Sequence, residues 1–125
     1  MKTKIFLLFL ILQFLNILIL NNVYAKKDAV YWYNKGVDAT DLDKKIEYYT
    51  KAIELNPEYA EAYCNRGFAY DNKGEYDRAI EDYNKAIELN PEFAEVYNSR
   101  GLAYFIQKFP TTACGDFYQA EEYYI

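Results

Sequence analysis

The sequence predicts an all-α protein, an α-α superhelix (solenoid) of three antiparallel helix pairs. Three observations carry this. Glu54 to Tyr70 reads ELNPEYAEAYCNRGFAY, and Glu88 to Tyr104, thirty-four residues on, reads ELNPEFAEVYNSRGLAY, with twelve of seventeen positions identical. A period of that length is the mark of a repeat architecture. Apolar residues recur at helical spacing, as Ile46, Tyr49, Ala52 and Ile53 do, and no segment alternates with period two over a useful length. Asn-Pro-Glu at 56–58 and again at 90–92 marks the stop of one helix and the start of the next.

The elements follow in chain order. Residues 1–25 read as a secretory signal peptide. Lys2 and Lys4 give a positive start, Ile5 to Leu20 is apolar except for Gln13 and Asn16, and Val23-Tyr24-Ala25 offers small residues where a signal peptidase inspects them. Cleavage is expected after Ala25, and the alternative is an uncleaved N-terminal membrane anchor, although the run is short beside the ~20 apolar residues of a span. The domain then occupies 26–125. Ala29 to Asp38 predicts a short helix, and Thr40 or Asp41 an N-cap for a helix over Lys44 to Leu55. Asn56 is expected to cap a third helix, from about Pro57 to Asn72, with Pro57 in its first turn and Glu58 at its positive end. Gly74 suits a left-handed cap. Further helices are predicted from Tyr76 to Leu89, from Pro91 to Gln107, and from Pro110 to Tyr124.

Composition narrows the function. The net charge is −5; without residues 1–25, which hold Lys2 and Lys4 and no carboxylate, 12 basic and 19 acidic residues remain and it falls to −7. Nucleic acid and anionic membrane surfaces call for basic patches, so neither is an expected partner of the processed chain. The sequence has no His, which removes the commonest general base and metal ligand. Two separated cysteines make no zinc site, and the five glycines form no phosphate cradle. No catalytic, metal or cofactor residues are therefore expected. Glu81 and Asp82 read as a solvated helix face rather than a catalytic pair. Export would admit a disulfide between Cys64 and Cys114, but their places in the repeat favour two free thiols packed as small apolar groups.

The residues of the second unit resemble the tetratricopeptide repeat: Tyr63, Gly67, Tyr70, Ala79, Tyr83, Ala86 and Pro91 fall at its offsets. The third unit carries Tyr97, Gly101, Tyr104, Ala113, Phe117 and Ala120 in the same register, and the first carries Trp32, Gly36, Tyr49, Ala52 and Pro57. The units then span about 29–59, 60–93 and 94–125. Small Gly67 and Ala79 let paired helices approach, and the aromatics fill the space between. Arg66 and Arg100 depart from the pattern, which often has Leu there. In the first unit, Gly36 to Ile46 spans ten residues where Gly67 to Ile80 spans thirteen, and Lys45 replaces the small residue of Ala79 and Ala113.

The resemblance implies a concave face built by the first helix of each pair, a face that binds peptides in many members. The two copied stretches differ at five positions, and three of these pairs, Cys64/Asn98, Asn65/Ser99 and Phe68/Leu102, share one side of a helix. The expected groove extends from them to Asn34, Tyr33, Glu61, Asp71, Asn72, Glu95, Phe105 and Ile106. Asn34 and Asn65 are equivalent, and an Asn amide both donates to and accepts from a peptide backbone. Chaperone-binding members grip a terminal carboxylate with groove Lys, Arg and Asn. These positions hold no Lys or Arg, and Glu61, Asp71 and Glu95 make the groove acidic. The expected function is that of a non-enzymatic exported scaffold binding a neutral or basic protein segment. The alternative is a unit that self-associates as a homodimer through its C-terminal face, where Tyr118, Tyr123, Tyr124 and Ile125 crowd beside Glu121 and Glu122.

Overall fold

The computed structural model describes the backbone of residues 2–107 and 110–124 and the side chains of 3–107 and 115–123. Within these residues the chain forms α1 (Lys2–Asp38), α2 (Leu42–Leu55), α3 (Ala60–Asn72), α4 (Tyr76–Leu89), α5 (Ala94–Ile106) and α6 (Pro110–Tyr124), and no strand. α1 pairs with α2, α3 with α4, and α5 with α6; α2 meets α3 and α4 meets α5, so each pair stacks on the one before it. α1, α3 and α5 are the first helices of their pairs, and α3 also touches α5 along that layer.

The short helix expected at Ala29 to Asp38 is the last part of a 37-residue helix. No Pro and no Gly occurs between Lys2 and Lys35, so nothing in that stretch breaks the hydrogen-bond ladder. The apolar residues from Ile5 to Tyr24 are exposed along their length, and burial begins at Ala25 and Ala29. By length and composition this helix could cross a membrane.

Helix ends differ from expectation at the Asn-Pro-Glu turns. Asn56 and Asn90 terminate α2 and α4, their backbone N–H groups donating to the carbonyls of Ala52 and Ala86. Their side-chain oxygens accept from Glu58 N and Glu92 N at 3.3 Å each, which fixes the turn. The next helices begin three residues after each Pro, at Ala60 and Ala94. Of the two cap choices before α2, Asp41 is the one used, accepting from Lys44 N at 2.9 Å. Gly74 closes α3 at φ 76°, with Glu75 N donating to Tyr70 O at 2.9 Å, the 6→1 bond of a Schellman cap.

Glycine against tyrosine holds the first two pairs together. A Cβ on Gly67 would lie 2.7 Å from the Tyr83 ring, and one on Gly36 would lie 2.4 Å from the Tyr49 ring. The first pair therefore packs through the same contact despite its shorter turn. That turn has no left-handed glycine. Instead the Lys45 ammonium donates to the carbonyls of Gly36 (3.1 Å) and Val37 (3.3 Å), covering orphan acceptors at the end of α1.

Two apolar clusters make the core. Ala52, Ile53 and Ala62 join the first pair to α3; Cys64, Ala79, Ile80, Tyr83, Ala86, Val96 and Ala103 join the second pair to α5. A polar ladder runs beside them. Arg66 donates through Nε and Nη2 to the Asp82 carboxylate (2.8 and 2.7 Å) and through Nη1 to Thr50 Oγ1 (3.0 Å). Arg100 repeats this one unit on, donating to both oxygens of Asp116 and to Asn84 Oδ1 (2.7 Å). Each Arg thus ties its own pair together and reaches back to the preceding pair. Asp82 is accordingly buried and ion-paired, which corrects its expected place on a solvated face; Glu81 alone is exposed. Cys64 is a buried free thiol. Cys114 and Ala113 lie outside the described side chains, as do Tyr124 and Ile125.

Candidate peptide-binding face

The first-helix layer brings residues of α1, α3 and α5 together around Tyr33. Asn65 Nδ2 donates to Tyr33 Oη at 2.9 Å, linking α3 to α1. Burial pushes the Tyr33 hydroxyl up; the Asn65 bond opposes this, and the carboxylates of Glu61 and Glu95 raise it further. Both Glu side chains are exposed. Three successive first helices thus place a phenol, an amide and two exposed carboxylates on one face.

Other predicted positions divide by their surroundings. Asn34 is exposed. Phe68 is half-buried, edge-on to Tyr83 at 5.7 Å between centroids. Asp71 is half-buried at 3.5 Å from Tyr83 Oη, and burial pushes its carboxyl up while that contact opposes the rise. Asn72 donates back to Phe68 O, and the Ser99 hydroxyl to Glu95 O, each at 2.9 Å, so both amide and hydroxyl are partly used within their own helices. Asn98 is half-buried. Leu102, Phe105 and Ile106 are 48%, 61% and 45% exposed and form an apolar strip on α5.

One predicted residue does not belong. Cys64 is 1% exposed and sits in the core cluster. It follows the groove side by sequence spacing, but α5 covers it, with Val96 in the same cluster. Burial pushes its thiol up to about 12, with Glu95 and Glu61 adding to the rise.

A cleft of about 240 Å³ opens between the first pair and α3. Asn65, Phe68 and Asn72 form one wall, and Val37, Leu42, Lys45 and Tyr49 the other. The second wall was not among the expected groove positions. Its signal in the sequence is the shortened first turn, which brings Lys45 to the place of a buried alanine. Lys45 adds a cation to a face expected to have none, although its ammonium is held by the Gly36 and Val37 carbonyls. Among the described residues, no group of three Cys, Asp or Glu side chains is arranged to hold a metal ion.

Family models of the tetratricopeptide repeat match residues 60–93, 41–74 and 82–122, which together run from 41 to 122. An uncharacterized protein of Methanocaldococcus jannaschii is 45% identical over 53 residues, covering 40% of this chain and 62% of that protein. Among solved structures, MamA superposes with a TM-score of 0.72 at 37% identity, covering 76% of this chain and 57% of MamA. The chain therefore spans somewhat over half the length of these two relatives. The tetratricopeptide domain of Arabidopsis OM64 gives 0.75 at 28% identity, covering 77% and 82% of the two chains. The first such domain of Spaghetti (RPAP3), bound to the HSP90 peptide SRMEEVD, gives 0.65 at 25% identity, covering 82% and 79%. With three matching repeat models and this superposition, the chain belongs to the tetratricopeptide-repeat family.

Proposed function

We propose that the chain is an exported, non-enzymatic scaffold whose first-helix face binds an extended protein segment of neutral or basic character. The observation that carries this reading is the meeting of Tyr33, Asn65, Glu61 and Glu95 from the first helices of three successive pairs. Asn34 and Asn65 offer amides to a peptide backbone. The strip of Leu102, Phe105 and Ile106 offers apolar contact beside them. Asn72, Asn98 and Ser99 border the same face, and Asp71 adds a third carboxylate. The fold also supports the binding role, since a tetratricopeptide neighbour holds the peptide SRMEEVD. That peptide has three acidic residues, and Glu61 and Glu95 would repel it. Export rests on Lys2, Lys4 and the exposed apolar stretch of α1. The absence of His supports a role without chemistry.

The test is affinity capture with the wild-type chain and with a variant carrying Asn65→Ala, Asn98→Ala and Phe105→Ala. A partner retained by the wild type and lost by the variant is the expected result. Equal retention by both places binding elsewhere and overturns the reading.

A further inference from the structure

The repeat register also determines what the two ends of the stack can meet. Aligning first helices on Gly36, Gly67 and Gly101 makes Tyr31, Ala62 and Val96 equivalent, with Lys35, Arg66 and Arg100 four residues on. Aligning second helices on Tyr49, Tyr83 and Phe117 makes Thr50, Asn84 and Tyr118 equivalent, and likewise Ile53, Ile87 and Glu121. Inside the stack these positions meet across each junction. Ala62 clusters with Ile53, and Ile87 packs on the cluster that holds Val96; Arg66 reaches Thr50, and Arg100 reaches Asn84.

In α1 and α6, among the described residues, the same positions are open. Tyr49 and Tyr83 are 3% and 0% exposed, but the equivalent Phe117 is 41%; Tyr118 is 73% exposed, where Thr50 is half-buried and Asn84 exposed. Ala62 and Val96 are fully buried, but Tyr31 is 55% exposed. Lys35 is exposed, with its ammonium over the rings of Tyr31, Trp32 and Tyr48. One end presents a cation and a phenol, and the other presents a phenol and the exposed carboxylate of Glu121.

We propose that two copies of this chain associate head to tail, with the outer face of α6 in one copy against the α1 segment at Tyr31 to Lys35 in the next. The contact continues the internal junctions. Lys35 takes the place of Arg66 and Arg100 and donates to Tyr118. The Tyr31 hydroxyl donates to Glu121, where the internal junctions have isoleucine. The interface is heterologous, since one end meets the other, and such contacts propagate unless the rotation closes a ring. The symmetric pairing of two C-terminal faces would leave Lys35 and Tyr31 unused. This association does not depend on what the first-helix face binds.

Cross-linking the full-length chain separates the two geometries. Lys35→Cys and Tyr118→Cys are made in separate chains with different tags, both at exposed positions, and the parent chain with Cys64 and Cys114 sets the background. After treatment with a short bismaleimide, the mixture should give a dimer carrying both tags, and each variant alone only background. Adding Glu121→Lys to the Tyr118→Cys chain should return the mixed product to background. Absence of a mixed product overturns the proposal, as does a dimer of Tyr118→Cys alone matching the mixture in yield.

Discussion

Cys64 shows burial setting the chemistry of a single side chain. A thiol raised to about 12 by desolvation is almost wholly protonated near neutrality, and the thiolate is the reactive form. The folded chain should therefore leave Cys64 unmodified by iodoacetamide at pH 8, and denaturant should release it; rapid labelling of Cys64 in the folded state, read by peptide mass, would contradict the burial. The same shift has a consequence for stability. Between the ordinary thiol value of 9.0 and about 12, the unfolded thiol ionises while the buried one stays neutral. The unfolded state then binds fewer protons, so stability falls as pH rises through that window. Arg66 and Asp82 make a second residue-scale prediction. Their side chains are 18% and 7% exposed, so removing one partner strands the other. Asp82→Ala should cost about 3–5 kcal/mol by denaturant unfolding, while the double change Arg66→Leu, Asp82→Leu should cost much less. This network was recoverable from sequence only through the period: Arg66/Asp82 and Arg100/Asp116 share one spacing and stand one repeat apart. Read singly, Asp82 beside Glu81 looks like surface. Cys64 misled for a related reason, since helical spacing gives its face but not the neighbour that covers that face.

At the scale of elements, close approach between paired helices rests on glycine. Gly67→Ala forces a methyl to 2.7 Å from the Tyr83 ring and 3.3 Å from the Ala79 carbonyl, and the overpacking should cost about 1–3 kcal/mol. Gly115 is the internal control: a Cβ there meets none of the described residues within 4 Å, so Gly115→Ala in α6 should be neutral or stabilising by up to about 1 kcal/mol. Equal destabilisation by both changes, measured by thermal unfolding, would remove the packing explanation. The helices themselves were legible because apolar spacing and Gly74 are strong local signals. Their starts were less so. Proline suits the first turn of a helix, but here Pro57 and Pro91 stand in turns closed by Tyr59 N to Asn56 O and Phe93 N to Asn90 O, and the helices begin only after them. The length of α1 was not legible, since a boundary was expected where the apolar stretch ends and no Pro or Gly stands there to make one.

For the whole molecule, the question is what the stacked first helices present. Their packing residues were read from the repeat, because twelve shared positions specify the stack. The face itself was only partly legible: repeat spacing puts Asn65, Glu61 and Glu95 on first helices, but the Tyr33–Asn65 bond and the Lys45 wall depend on how the first pair sits against the second. An acidic face on a chain of net charge −5 should attract cationic segments, and more weakly at high salt. The most direct test is isothermal titration of the chain with two unstructured peptides of equal length, one rich in Lys and one rich in Glu. The basic peptide should bind, its affinity weakened by salt and reduced several-fold by Glu61→Gln with Glu95→Gln. Preference for the acidic peptide, or binding of the basic one unchanged in that double variant, would contradict it.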